Sequence, residues 1–327
     1  METLECQFCG EIDTRDSDIF QLDKLGTGFW CEICDGYSYF NNIKEKHKFT
    51  LILEDKCKNL EPIYTNDIKL PTRISPYRYP GGKTKLVNYL YTHLEKTKSK
   101  KLISPFVGGG SFELALLDAG IIEELHMNDL DTGVYSLWWI IKYMPYVIID
   151  RLQLTVPTHT DYFEAQNIIK KDYVGVDVVD AAWASLLVNR LAYSGISKAN
   201  PMGGRNGTSD ALLSRWNPKD LVQRIERIHS LSDKITVTQE HATKLIEEAY
   251  WEDTATIFID PPYVEKGKDL YNCFYTEDNH IELSVMLDSL HMGCPGADIV
   301  LTYDYNRWLE ALYNSPVVEV IGRKYSI

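Results

Sequence analysis

The chain of 327 residues has no run of about 18 consecutive apolar residues, so no stretch of it can cross a bilayer as a helix. Its opening, METLECQFCGEIDTRD, is acidic and lacks an apolar core, so no secretory signal is expected. Internal repeats and low-complexity tracts are absent too, which excludes solenoids, propellers and compositionally biased linkers. Cationic residues are in deficit. There are 34 Lys and Arg against 47 Asp and Glu, a formal net charge of -13. As a sum, that deficit argues against a nucleic-acid partner. Cysteine is too scarce for a disulfide framework: seven in all, four of them in two C-x-x-C pairs near the start. An odd, clustered set points to a reducing compartment and a bound metal.

The distribution of charge reverses what the sum implies. Residues 73–101 hold eight Lys or Arg and one acid, and residues 189–234 hold eight and four. Phosphates respond to the local field, so an acidic protein can still carry a basic face. A solvated surface is the other reading, and for KTKSKK at 96–101 it stands level.

Composition is that of a soluble globular protein, 44% hydrophobic and 25% charged, and the length suits one large α/β domain plus smaller parts. Residues 1–65 read as a small separate module, with EPIYTNDIKLP at 61–71 as a linker. Beyond Lys100, short β-rich runs alternate with helical stretches. The runs are KLISPF at 101–106, ELHMND at 124–129, KITVT at 234–238, TIFID at 256–260 and DIVLTYD at 298–304. SFELALLDAG at 111–120, residues 133–143 and IELSVMLDSL at 281–290 carry helical periodicity. Such alternation predicts a doubly wound, mostly parallel α/β sheet over 74–144 and 234–327, with ligands at the carboxyl ends of the strands. Residues 145–233 interrupt it with a mainly helical insertion, either a specificity subdomain or a structural elaboration.

Cys6-x-x-Cys9 and Cys31-x-x-Cys34, with 21 residues between the pairs, can close a tetrahedral structural zinc site like that of a zinc ribbon. Gly10 and Asp35-Gly36 suit the tight turns this needs. A redox role is the weaker reading, because no thioredoxin-like βαβ surrounds the pairs. A module this small has little core, so the metal would supply much of its folding energy.

Three further segments carry chemistry. Gly108-Gly109-Gly110 follows a predicted strand and precedes a predicted helix, where glycine lets the backbone turn sharply beside a ligand; an ordinary turn would look the same. Asp129, after Asn128 at the next strand end, sits where a nucleotide-like ligand presents ribose hydroxyls; a helix N-cap is the alternative. Asp260-Pro261-Pro262-Tyr263 is sharper. The prolines stiffen the turn and leave carbonyl acceptors. A carboxylate beside such a carbonyl can grip both hydrogens of an exocyclic amine, freeing its delocalised lone pair, and the tyrosine offers a face to a planar ring. A proline turn that merely closes a strand remains the plain alternative.

FVGGGSFEL at 106–114 together with DPPY at 260–263 resembles the Dam-type adenine-specific DNA methyltransferases, which include many phage and restriction-modification enzymes. Four more segments fit that family: Tyr77 to Lys83, Asn189 to Gly195, Gly267 to Tyr271, and Leu301 to Asp304. The resemblance implies a Rossmann-like sheet. Tyr79, Gly81, Lys83, Phe106, Gly108, Gly109, Gly110, Asp129 and Asp260 would hold S-adenosylmethionine. Asp260 and the Pro261 carbonyl would grip adenine N6, Pro262 would stiffen the turn, and Tyr263 would stack on a base flipped from double-stranded DNA. Lys85, Asn189, Arg190, Tyr193 and Arg205 would meet the DNA. Where the family often has an acid for the cofactor's adenine amine, this chain offers Glu240-His241, so either Glu240 substitutes or a backbone group serves. Cytosine N4 methylation and a catalytically silent nucleic-acid-binding protein are the rival readings. The setting implied is the cytoplasm of a bacterial or phage-infected cell, for a monomer or weak dimer, with a cognate restriction endonuclease as an expected partner.

Overall fold

The structure is a computed structural model, and it describes residues 3–6, 9–14, 20–22, 28–34, 36–39, 47–55, 70, 73–78, 82–94, 100–264, 273–293 and 295–322. The N-terminal part forms two small antiparallel sheets. One pairs β1 (Thr3–Glu5) with β2 (Ile12–Thr14); the other joins β3 (Phe20–Leu22), β4 (Gly28–Cys31) and β5 (Gly36–Tyr39). Leu4, Phe20, Phe29 and two of the cysteines, Cys6 and Cys31, form its small buried cluster.

Next come β6 (Phe49–Asp55), a 3-10 turn (Lys83–Lys85), α1 (Val87–Tyr91), β7 (Lys101–Ser104), α2 (Ser111–Asp118), β8 (Glu124–Asn128) and α3 (Thr132–Tyr143). The insertion supplies α4 (Pro145–Leu154), α5 (His159–Lys170), α6 (Val178–Leu191), α7 (Ser209–Leu212) and α8 (Pro218–His229). β9 (Ile235–Thr238), α9 (Ala242–Ala249), β10 (Ala255–Ile259), α10 (Glu277–Gly293), β11 (Asp298–Asp304), α11 (Arg307–Leu312) and β12 (Val317–Gly322) complete the chain. Local chemistry fixes several helix starts. The Asp131 carboxylate accepts from the Gly133 and Val134 amides ahead of α3, Thr158 and Asp161 form a capping box for α5, and Pro218 opens α8.

Seven strands make one sheet in the order β12-β6-β11-β10-β7-β8-β9, and every pairing in it is parallel. Side chains alternate across it. Ile52, Leu102, Leu125, Phe258 and Val300 join the core beneath α1 to α4, α6 and α8. Leu51, Leu53, Ile103, Ile257 and Ile299 join the opposite core, beneath α9, α10 and α11. Helices therefore cover both faces, and the strands are apolar on both sides, as a parallel sheet requires.

The sheet departs from the sequence reading in two places. Residues 49–55 fall in the segment assigned to the N-terminal module, yet β6 lies inside the main sheet between β11 and β12. The boundary at residue 65 is thus too late, because Leu51, Ile52 and Leu53 are fully buried in the two main cores. Of the expected linker at 61–71, all but Leu70 lies outside the described residues. The insertion is also less detached than its interruption of the pattern implies: Leu186 of α6 and Leu221 and Ile225 of α8 are buried in the same core as α2 and α3.

Candidate active site and metal centre

The carboxyl ends of the parallel strands bound a cleft holding about 1060 Å3 of empty space, its open mouth included. The turn after β7 forms one wall. Gly108 and Gly110 adopt left-handed conformations, with φ of 46° and 58°. The Gly108 amide donates to Asp129 Oδ2 at 2.8 Å, and Trp138 Nε1 donates to the Gly108 carbonyl at 3.0 Å. A Cβ on Gly110 would meet Met127 Cε at 3.2 Å and Trp138 Cζ2 at 3.4 Å. Its glycine therefore serves the turn and the packing beneath it; bulk there would strain the wall from behind.

Asn128, fully buried at the end of β8, ties three strand ends together. Its Nδ2 donates to the carbonyls of Pro105 (2.9 Å) and Glu240 (3.0 Å), and its Oδ1 accepts from the Glu240 amide (2.8 Å) and Thr238 Oγ1 (2.9 Å). Beside it, burial and then the neighbouring Asp131 push the Asp129 carboxyl up to about 7. Asp129 Oδ1 also accepts from the Asp131 amide at 3.0 Å. Glu113, in the first turn of α2, is raised to about 7 by burial, and Ser104 Oγ donates to it at 2.8 Å. Glu240 lines the cleft too, with its carboxylate held by Lys244 at 3.0 Å.

Asp260 ends β10 on the opposite wall. Its Oδ1 takes Lys83 Nζ at 2.7 Å and Thr302 Oγ1 at 2.9 Å. The same ammonium lies 2.9 Å from Glu54 Oε1. Burial raises the Asp260 pKa, Lys83 opposes that, and Glu54 adds to it. Pro262 lines the cleft, Pro261 and Tyr263 on either side of it in the chain are buried, and the Tyr263 ring lies 5.6 Å from Lys83 Nζ.

The structure thus brings Lys83, Phe106, Gly108, Gly109, Gly110, Asp129, Glu240, Asp260 and Pro262 to one cleft. Tyr79, Gly81 and 267–271 lie outside the described residues. Asn189 and Arg190 are interior. Asn189 Oδ1 accepts from the Arg78 amide at 2.8 Å, its Nδ2 donates to the Arg78 carbonyl, and Arg190 reaches the carbonyls of Pro76 and Arg215. These side chains set the 75–78 segment and do not face solvent. Tyr193, by contrast, is 54% exposed, beside Ser194 at a strained φ of 57°. Lys85 is exposed, as is Arg205, whose guanidinium lies 5.5 Å from the Phe163 ring. Sequence reading missed Thr302 and Glu113, although LTYD and FVGGGSFEL were noticed, and missed Glu54, Tyr275 and Asn279, for which no local pattern speaks.

In the N-terminal module the four Sγ atoms of Cys6, Cys9, Cys31 and Cys34 lie within 4.8 Å of one another. Cys6–Cys34 and Cys9–Cys31 are 3.5 and 3.7 Å apart. Zinc–sulfur bonds of about 2.3 Å place tetrahedral thiolates about 3.8 Å apart, so the spacing fits that ion.

The cleft lies at the carboxyl edge of a parallel sheet, the place where proteins of this doubly wound α/β class bind their ligands. Comparison with known proteins narrows the class. The D12 class N6 adenine-specific DNA methyltransferase family matches residues 79–327. A type II methyltransferase of Methanocaldococcus jannaschii, M.MjaIII, is 21% identical over 261 residues, 71% of this chain and 85% of that protein. A type II methyltransferase of Paramecium bursaria Chlorella virus NC1A, M.CviBI, is 23% identical over 76% of this chain and 89% of its own length. The DNA N-6-adenine-methyltransferase of Escherichia phage P1 is 26% identical over 58% of this chain, a match spanning 24% of the phage protein. The chain belongs to the D12 class of N6 adenine-specific DNA methyltransferases. It is an enzyme that uses S-adenosylmethionine to methylate adenine N6 in DNA, and cytosine N4 is not favoured. No helix among the described residues is long and apolar enough to cross a membrane.

Proposed function

We propose that the transfer takes place in this cleft and that Asp260 and the Pro261 carbonyl grip the two N6 hydrogens of a flipped adenine. The observation that carries the reading is the state of Asp260. Both of its hydrogen-bond donors converge on Oδ1, which fixes the carboxylate and leaves Oδ2 to accept from an amine. Two acceptors favour a pyramidal nitrogen with a localised lone pair. When bound, S-adenosylmethionine supplies an electrophilic methyl group. Gly108 to Gly110 would admit its backbone-hugging part, and Asp129 would accept from its ribose hydroxyls. Glu240, or the backbone held by Asn128, would receive its adenine amine. The protein's contribution is orientation and a water-poor, preorganised field. Asp260 serves as an acceptor; the amine proton becomes acidic only as the new bond forms.

DNA contact would fall to Lys85, Tyr193 and Arg205 and to a cluster of arginines around 75–78. Burial and then the charges of Arg78 and Arg224 push the Arg190 guanidinium down to about 10, and burial, Arg215 and Arg224 lower that of Arg78. Asp220, paired with Arg224 at 2.8 Å, offsets part of this repulsion. A backbone phosphate would relieve the rest. Asn189 and Arg190 would act beneath this surface by holding its backbone. One zinc ion in the four-cysteine site would complete the N-terminal module as a zinc ribbon. By analogy with the type II methyltransferases among its relatives, its partner would be a cognate restriction endonuclease.

Purified protein incubated with labelled S-adenosylmethionine and mixed-sequence DNA should yield N6-methyladenine. Asp260→Ala should abolish the product while largely sparing cofactor binding by calorimetry. Near-normal turnover of that variant would overturn the role given to Asp260.

A further inference from the structure

We propose that Glu54 is a positioning residue for methyl transfer: from strand β6 it shares the Lys83 ammonium with Asp260, aiming that ammonium and leaving negative charge on the Asp260 oxygen that faces the cleft. The inference rests on Asp260 being the N6 acceptor. It adds a residue outside the stretch that matches the family, which begins at residue 79.

Lys83 is 3% exposed, and Glu54 is 1% exposed. A buried ammonium must be paired, and here it is paired twice, 2.9 Å from Glu54 Oε1 and 2.7 Å from Asp260 Oδ1. With Asp260 alone the pair would be neutral, and a neutralised carboxylate is a weaker acceptor. Glu54 draws on the same ammonium, so Asp260 is neutralised less than it would be in a pair with Lys83 alone. Glu54 is enclosed, whereas the Asp260 side chain is 21% exposed. Of the two carboxylates, Asp260 is the accessible one.

Glu54 is also held in place. The Tyr305 amide donates to the Glu54 carbonyl at 3.0 Å, and β6 is paired on both sides, with β11 and β12. Among the described residues, the charged and titratable groups around Asp260 are Lys83 from the 3-10 turn, Glu54 from β6, Glu113 from α2 and Tyr263 from its own turn, with the Thr302 hydroxyl from β11. Within that set Glu54 raises the Asp260 pKa, so its removal has a defined sign.

The test is full-length Glu54→Gln, which keeps shape and removes charge, assayed beside Asp260→Asn. The expected result is a folded protein with S-adenosylmethionine affinity within about twofold of wild type and kcat lowered at least about tenfold. The acid limb of kcat should shift to lower pH, because Asp260 loses a neighbouring negative charge. An unchanged kcat, or a loss of activity with no shift of the acid limb, overturns the proposal. If the glutamine variant does not fold, Glu54→Asp carries the test. It keeps the charge but withdraws it by one methylene, and should lower kcat with cofactor affinity unchanged; a wild-type kcat overturns the proposal. Full activity of Asp260→Asn would instead sink the acceptor role itself. An inactive Asp260→Asn beside a normal Glu54→Gln would sink only the role of Glu54.

Discussion

Shortening the chain from its N-terminus should be harmless up to a sharp limit, and β6 sets that limit. Removing residues 1–44 deletes the cysteine module and leaves the sheet whole. Removing residues 1–56 deletes β6 as well. Phe49, Leu51, Ile52 and Leu53 of that strand are at most 3% exposed. At roughly 1.5–3 kcal/mol for each buried side chain, their loss amounts to about 6–12 kcal/mol. That is comparable to the whole stability of a typical domain, about 5–15 kcal/mol. The damage spreads, because the strand pairing of β12 within the sheet is to β6. Scanning calorimetry and cofactor titration of the two truncated proteins give the answer. Residues 45–327 should unfold cooperatively and bind S-adenosylmethionine; residues 57–327 should show no cooperative transition and no binding. A chain starting at 57 that melts cooperatively and binds cofactor with native affinity would refute the argument.

The remaining expectations concern metal, salt and protons. Elemental analysis of freshly purified, reduced protein should find one zinc per chain, and Cys31→Ser should lose it without lowering the melting temperature of the residues 45–327 unit; a metal-free wild type would contradict the site. DNA affinity should fall steeply with salt, and Arg78→Ala with Arg215→Ala should flatten the log–log slope by about 2; an unchanged slope would remove these arginines from the phosphate contacts. Asp129 in the folded protein holds its proton up to about 7, above the ordinary carboxylate range. Between about pH 4 and 7 the folded state therefore binds a proton that the unfolded chain has lost, so Asp129 makes stability fall as pH rises across that window. Hydroxyls donated by the cofactor favour the ionised form, so affinity should rise through neutral pH more steeply in wild type than in Asp129→Asn. Parallel pH profiles for the two proteins would count against ribose binding there.

The parts of the fold legible in the sequence are those with local signals. The β7 turn and α2 are written as a short apolar run, three glycines and a helical period. DIVLTYD reads as a strand and is β11. β6 was hidden for a physical reason: FTLILED is apolar on both faces, so it shows no alternation, and its partners lie about 250 residues onward. Asn189 and Arg190 misdirect for the opposite reason. Their polarity reads as surface, while their side chains bond the backbone of residues 76, 78, 195 and 215 in the interior. The pairing of Glu54 with Lys83 and Asp260 is assembled from three distant parts of the chain, and no spacing rule joins them.

The strand order also fixes a timetable for chain synthesis. Both neighbours of β6, at 298–304 and 317–322, are made about 250 residues after it. Until then an apolar strand has no ladder to join, and the central sheet cannot close in the order of translation. Pairings of such long sequence separation are slow to form and leave sticky edges exposed meanwhile. Refolding from denaturant should accordingly show the closing of β6 between β11 and β12 as its late step. A nascent chain can therefore lock Glu54 beside Lys83 and Asp260 only once β11 and β12 have been made.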